Sequence, residues 1–121
     1  METAKEIVNG LEVAVILSDE IVLTDEQSAL DFIMSARYES DCDRIALCKE
    51  AISEDFFRLS TGLAGSILQK FANYRLKLAV YGDFSSYTSK STRDFIYECN
   101  RGNAVFFVAT REEAVQMLAN A

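Results

Sequence analysis

The sequence predicts an α/β domain in which helices flank a mostly parallel sheet of four or five strands. Short apolar runs, typical of strands covered on both faces, alternate along the chain with segments of helical spacing. The chain has 121 residues, the length of one ordinary domain, and half of them are hydrophobic. It contains no proline, linker or repeat, so we expect a single domain over residues 1–121.

Apolar runs bounded by turn residues predict the strands. They are residues 4–8, 11–17, 44–48, 76–81 and 104–108. The pair Asn9-Gly10 is typical of a hairpin turn, so the first two strands are predicted to be antiparallel. A short apolar piece, Ile21–Leu23, is expected to pair at a sheet edge. Strands that alternate with helices are joined by right-handed crossovers, so the other strands should be parallel.

Capping sequences predict where the helices begin. They are Thr24–Gln27, Ser53–Asp55, Ser91–Asp94 and Thr110–Glu113. Gly62 and Gly65 interrupt the second helical segment, where a glycine costs about 1 kcal/mol relative to alanine. They indicate either a close approach to the sheet or a break, with the main helix beginning near Ser60.

The composition excludes several kinds of chemistry. The chain has no histidine, which removes the commonest general base and metal ligand at neutral pH. Its three cysteines lack a C-x-x-C spacing, which favours neither a disulfide framework nor a zinc site. Neither a P-loop nor a G-x-G-x-x-G motif is present. We therefore predict no catalytic residue, no metal site and no cofactor.

Charge and hydropathy point to a cytoplasmic protein. The net charge of −7 opposes binding to nucleic acid and to acidic membrane surfaces. No apolar run approaches the roughly 20 residues of a membrane span, and the N-terminus lacks the apolar core of a signal peptide. The free cysteines favour a reducing compartment. We expect neither a nucleic-acid nor a membrane partner.

Polar side chains follow two predicted strands at their carboxyl ends, where parallel sheets bind ligands. The candidates for a ligand or partner site are Lys49, Glu50, Asp83, Tyr87, Lys90 and Arg93. Backbone amides, hydroxyls and cations of this kind could hold an anion at a helix start. The alternatives are a solvated loop that caps a helix and an ion pair at the end of the sheet.

Ser60 and Thr61 are candidate phosphoacceptors. If a helix begins at this point, an added phosphate would lie at its positive end and be stabilised there. If the helix begins at Ser53 instead, both hydroxyls are ordinary mid-helix side chains.

Long motifs in the second half of the chain resemble those of a known family. STGLAG-x-x-LQKF, YGDFS-x-YTSK, DFIYE-x-NRG and FF-V-x-TREEA are similar to the DUF4180 family, an uncharacterised bacterial domain. The resemblance extends from about Gly10 to about Leu118. It implies no mechanism, because that family has no established activity.

A more distant resemblance is to the STAS domains of anti-sigma factor antagonists. The order of the apolar strand 45–48, Ser60-Thr61-Gly62 and the strand 76–81 is similar to theirs. It implies a STAS-like fold in which a phosphorylated serine controls binding to a partner. Leu59 departs from the pattern, because those domains usually have an aspartate before that serine.

Two functional hypotheses follow. The leading one is a non-enzymatic, cytoplasmic regulatory or protein-interaction module with a STAS-like fold. The alternative is a small-ligand binder or enzyme that uses a polar site at the carboxyl ends of the strands. An exposed edge strand would also offer a route to a homodimer.

Overall fold

A five-stranded sheet and four helices form the molecule, in a computed structural model that describes all 121 residues. The strands are β1 (Glu2–Val8), β2 (Leu11–Leu17), β3 (Arg44–Cys48), β4 (Lys77–Tyr81) and β5 (Val105–Val108). The helices are α1 (Glu26–Ser40), α2 (Leu63–Asn73), α3 (Lys90–Arg101) and α4 (Arg111–Ala119). The predicted α/β class with a mostly parallel sheet is therefore confirmed. None of these helices has the length and apolar character that crossing a membrane requires.

The strands lie in the sheet in the order in which they occur along the chain. β1 and β2 form an antiparallel hairpin, and β2 to β5 are parallel. Asn9 (φ 53°) and Gly10 (φ 78°) both have positive φ, as a type I′ hairpin turn requires. Because the crossovers after β2, β3 and β4 all advance in one direction, they place α1, α2 and α3 on the same face.

Two apolar layers cover the sheet. Side chains of β2 to β5 alternate between the faces, with Ile45 and Leu47 on the α1–α3 side and Ala46 on the other. The α1–α3 layer has 21 buried residues, whereas α4 covers the opposite face with a smaller layer of 8. Since both faces are covered, the central strands read as continuous apolar runs.

Two predictions for the segment between β2 and α1 are wrong. Ile21–Leu23 is not an edge strand; only Leu23 forms a bridge, with Ile52. Helix α1 is capped by Asp25 rather than by Thr24, in a reciprocal box with Ser28. The predicted capping box, Thr24–Gln27, and the observed one, Asp25–Ser28, overlap in sequence. The helix that starts from Asp25 buries Ala29, Phe32, Ile33 and Ala36. The Thr110 cap of α4 is as predicted.

Helix α3 begins earlier than its predicted cap at Ser91. Ser89 is the N-cap, and its Oγ accepts a hydrogen bond from the Thr92 amide. The Thr92 hydroxyl is buried and donates to the Phe57 carbonyl, a contact between distant segments. This contact fixes the register of the helix start, which no local pattern could show.

The segment after β3 contains short 3₁₀ turns instead of one long helix. The turns are Lys49–Ala51, Glu54–Phe57 and Leu59–Thr61. Ser53 does cap the second turn through the Asp55 amide, but that turn ends at Phe57. Gly62 (φ 74°) then separates the turns from α2. The predicted break is thus confirmed, but the main helix begins at Leu63 and not near Ser60, which lies in the last 3₁₀ turn.

Candidate functional site

A cavity of about 560 Å³ opens beyond the carboxyl ends of β3 and β4. One wall is the segment 54–60 that follows β3, and the other is the segment 86–92 that follows β4 and begins α3. Seven of its lining residues carry hydroxyl groups: Ser60, Ser86, Tyr87, Thr88, Ser89, Ser91 and Thr92. The cavity, which we call the hydroxyl cavity, thus joins the loop after β4 to Ser60.

Local turns position these walls. The Asp83 carboxylate accepts a hydrogen bond from the Ser85 amide and bends the chain as it leaves β4. Gly82 lies so close to β3 that a Cβ atom there would be 2.7 Å from Cβ of Lys49. The Thr92 hydroxyl, bonded to the Phe57 carbonyl at 3.0 Å, ties the start of α3 to the opposite wall.

Beside the cavity, Lys49, Glu54 and Tyr87 form a closed network. The Lys49 ammonium donates to Glu54 Oε1 at 2.9 Å, and the Tyr87 hydroxyl donates to Glu54 Oε2 at 2.7 Å. Tyr87 stacks on Phe57 with ring centroids 4.8 Å apart. The Lys49 ammonium lies 5.1 Å from the Tyr87 ring centroid, close enough for a cation–π contact. Both carboxylate oxygens of Glu54 are therefore occupied.

The network holds each of its groups in its ordinary ionic state. Burial would lower the pKa of Lys49, but the nearby Tyr87 phenol and the hydrogen bond to Glu54 outweigh it and raise that pKa. The hydrogen bond from Lys49 lowers the pKa of Glu54. Burial raises the pKa of the Tyr87 phenol. Each of the three pKa values is thus moved further from 7. Near pH 7 the lysine and glutamate are therefore charged and the tyrosine is neutral.

We expect Glu54→Gln to remove part of the acid sensitivity of the fold. Because the pKa of Glu54 is lower in the folded than in the unfolded chain, its contribution is present above the unfolded value. That contribution is lost as the pH falls through the folded value. The free energy of unfolding, measured from about pH 6 to about pH 3, should fall less steeply in the variant. Glu50→Gln, at an exposed position without an ion pair, is the control; equal slopes in both variants would contradict the prediction.

The structure brings only part of the predicted ligand site together. Tyr87 lines the hydroxyl cavity and Lys49 contacts it through the network. Glu50 is exposed, and Asp83 is engaged with the Ser85 amide. Lys90 is exposed and pairs with Asp94 along α3 at 2.6 Å. Arg93 lines a neighbouring cleft of about 370 Å³ on the other side of Tyr87.

Ser60 and Thr61 have different surroundings. The exposed Ser60 lines the hydroxyl cavity and its hydroxyl has no partner within the chain. Thr61 Oγ1 accepts from the Leu63 amide at the start of α2 and donates to the Asp55 and Arg58 carbonyls. Thr61 therefore stabilises the turn, while Ser60 faces the cavity.

Among the residues of the cavity walls that sequence reasoning missed are Glu54, Phe57, Arg58 and Thr92. The helix start predicted at Ser53 includes Glu54 and Phe57 in a helical segment, so the sequence does not indicate that they lie at the end of a strand. The position of Ser53–Asp55 shortly after a buried strand was the available signal, since that is where ligand sites of parallel sheets lie.

The remaining reactive side chains are dispersed. All three cysteines are free, and burial raises the pKa of the Cys42 thiol and of the Cys99 thiol. No group of three or more cysteine, aspartate and glutamate side chains is placed to hold a metal ion. What distinguishes the site is therefore its hydroxyl-lined cavity.

Comparison with known proteins identifies the family. Neither a curated protein nor a solved structure matches the chain. One family model, described as a domain of unknown function (DUF4180), matches residues 8–118, which is nearly the whole chain. The protein therefore belongs to the DUF4180 family.

Proposed function

We propose that this chain is a non-enzymatic binding module that holds a small polar molecule in the hydroxyl cavity. The observation that carries the proposal is the cavity itself. Its volume of about 560 Å³ lies within the ordinary range of small-molecule sites, about 300–1,000 Å³. Ser60, Ser86 and Thr88 line it with hydroxyls that make no hydrogen bond within the chain. These groups are available to a ligand.

The lining determines the chemistry of the ligand. Hydroxyls both donate and accept, so they suit a molecule rich in hydrogen-bonding groups, such as a sugar, a sugar phosphate or an amino acid. Lys49 neutralises Glu54, which leaves Arg58 as the cation on the wall. The Arg58 guanidinium lies 3.4 Å from the Asp55 carboxylate, and both side chains are exposed. A neutral or singly anionic molecule fits this balance of charge.

The absence of catalysis is part of the proposal. General acid–base catalysis works best with a group whose pKa lies near the working pH. In Lys49, Glu54 and Tyr87 the pKa shifts lead the other way. Their hydrogen bonds are also directed at one another rather than into the cavity. These features support a structural network that shapes a binding wall.

A panel of sugars, sugar phosphates and amino acids, screened by thermal unfolding, tests the proposal. We expect at least one compound at about a hundred times its Kd to stabilise the fold by about 2.7 kcal/mol and raise Tm by several degrees. Ser86→Leu fills the cavity and should abolish this shift. Ser85→Leu, one residue away but outside the cavity, should preserve it. No shift with any compound, or equal losses in both variants, would contradict the proposal.

A second candidate is the regulatory module with a STAS-like fold that acts through a protein partner. It is favoured by the exposed, unbonded hydroxyl of Ser60 beside Arg58, where a phosphate would find a cation. The same samples distinguish it from the first candidate. In a pull-down, the second candidate is favoured if a protein binds to the wild type and to Ser85→Glu but not to Ser60→Glu. It also requires that no compound of the panel shifts Tm. For either candidate we propose a location in the cytoplasm, which the free cysteines support.

A further inference from the structure

The two edges of the sheet differ in their protection. At β5, the Asn100 side-chain amide donates to the Phe107 carbonyl at 3.0 Å and accepts from the Phe107 amide at 2.7 Å. These are the outward-facing backbone groups at the middle of a four-residue strand. Asn100 therefore occupies the place that another strand would take, which is one way that proteins close an edge.

The opposite edge, β1, is open. Its seven residues pair with β2 in an unbroken register, without a bulge or a proline. The type I′ turn closes on Val8 and Leu11, which form a hydrogen-bonded pair in a two-residue hairpin. By alternation, the amides and carbonyls of Thr3, Lys5 and Ile7 point away from β2. A long edge of this kind is a template for another strand.

We propose that β1 pairs antiparallel with β1 of a second copy, about a two-fold axis at Ala4. This register places Thr3 opposite Lys5 of the second copy, so that their outward amides and carbonyls bond in pairs. Centring the axis on Lys5 instead would bring two ammonium groups together, which disfavours that register. The result is one continuous ten-stranded sheet, with the closed β5 edges at its two ends.

Charge complementarity on the α1 side of the sheet supports this register. The Thr3 hydroxyl donates to Glu39 Oε2 at 2.7 Å, so Glu39 of α1 lies directly above Thr3. Lys5 pairs with Glu12 of its own chain at 3.5 Å, and both side chains are partly exposed. Lys5 of the second copy, opposite Thr3, is brought within reach of the Glu39 carboxylate as well. By symmetry the contact occurs twice.

The α4 side is complementary in the same register. Glu2 of the second copy lies opposite Glu6, which Arg111 holds through Nε and Nη2 at 3.1 and 3.0 Å. Arg111 Nη1 has no partner within the chain and is free to receive the second carboxylate. The two acidic side chains therefore share one guanidinium instead of repelling each other.

An apolar pair completes the match. Met1 is 49% exposed and Ile7 is 69% exposed, so both present apolar area to water. The axis at Ala4 places Met1 of one copy opposite Ile7 of the other, on the same face. Pairing would remove both from water at each end of the β1–β1 ladder.

Sedimentation equilibrium and cross-linking test the dimer and its register. We expect the wild type to have twice the 13.5 kDa monomer mass at about 100 µM. Ala4→Cys should form a disulfide-linked dimer on mild oxidation, because facing Cα atoms at a non-hydrogen-bonded pair are about 4.5 Å apart. Lys5→Cys, whose two copies are offset by two residues, and the wild type are the controls. A monomeric wild type overturns the proposal, and linkage through Lys5→Cys but not Ala4→Cys overturns the register.

A charge exchange checks the contact without relying on oxidation. K5E should raise the dimer Kd by about tenfold or more, because it places a carboxylate beside Glu39 of the other copy. K5E and the double variant both lack the Lys5–Glu12 pair within the chain, so that loss cancels in their comparison. The double variant K5E/E39K restores opposite charges and should recover most of the affinity. Circular dichroism confirms that each variant is folded. If K5E dimerises like the wild type, or if the double variant fails to recover, the proposed contact is wrong.

Discussion

Phe56→Ala is expected to lower the free energy of unfolding by about 3–5 kcal/mol, the largest effect of any single substitution considered. Phe56 is completely buried, although it lies on the short turn Glu54–Phe57. Its ring centroid is 4.9 Å from that of Phe57, 6.4 Å from Phe95 and 6.1 Å from Phe107. The substitution therefore leaves a cavity between β5, α3 and the turn, where three other rings lose a partner.

Such a loss is a large part of the 5–15 kcal/mol that stabilises a typical domain. Urea unfolding followed by circular dichroism measures it, and the midpoint should shift without a change in slope. Phe84→Ala is the matched control, since Phe84 belongs to the same aromatic cluster but is only half-buried. Equal losses in the two variants, or a loss below about 1 kcal/mol for Phe56→Ala, would show that the turn does not depend on this ring.

Burial of Phe56 also explains why the strands could be predicted from the sequence but the segment 53–61 could not. The strands 11–17 and 44–48 match β2 and β3, because both faces of those strands are covered and leave a continuous apolar run. The segment 53–61 carries a good helix cap and acidic first-turn residues, yet it forms separate turns. There Phe56 and Phe57 are both buried, and this tertiary requirement overrides the local preference.

The candidate site was predictable only in outline. The rule that ligands bind at the carboxyl ends of parallel strands identified Lys49 and Tyr87, which the structure brings together. It could not show that Glu54 lies between them, because this depends on how the turns after β3 fold back. The rule also could not show that Ser60 shares a cavity with the loop after β4. The position of Ser60 depends on the positive φ of Gly62, which ends the turns after β3 and which the sequence indicates only by the glycine itself.

Gly82→Ala is expected to destabilise the fold by about 1–3 kcal/mol, the range of overpacking in a well-packed region. Gly82 has φ 158°, a backbone conformation that alanine rarely adopts. The new Cβ would also lie 2.7 Å from Cβ of Lys49, an atom fixed by the backbone that cannot swing aside. The ends of β3 and β4 must therefore separate. Since Lys49 bonds to Glu54, the movement should also loosen the network, and the Tyr87 phenol should titrate closer to its ordinary pKa.

Three further variants separate the steric cause from the others. Gly65→Ala, within α2 and facing open space, should stabilise the fold by about 0.5–1 kcal/mol, so the two alanines are predicted to have opposite signs. Lys49→Gly removes the clashing Cβ, whereas Lys49→Ala keeps it. When each is combined with Gly82→Ala and compared with the same Lys49 variant alone, Lys49→Gly should recover the steric part of the added loss measured by urea unfolding, whereas Lys49→Ala should recover none. The part that arises from φ 158° at residue 82 should remain in both. Equal cancellation by both would mean that the long Lys49 side chain, and not the approach of the two strands, makes Gly82 necessary.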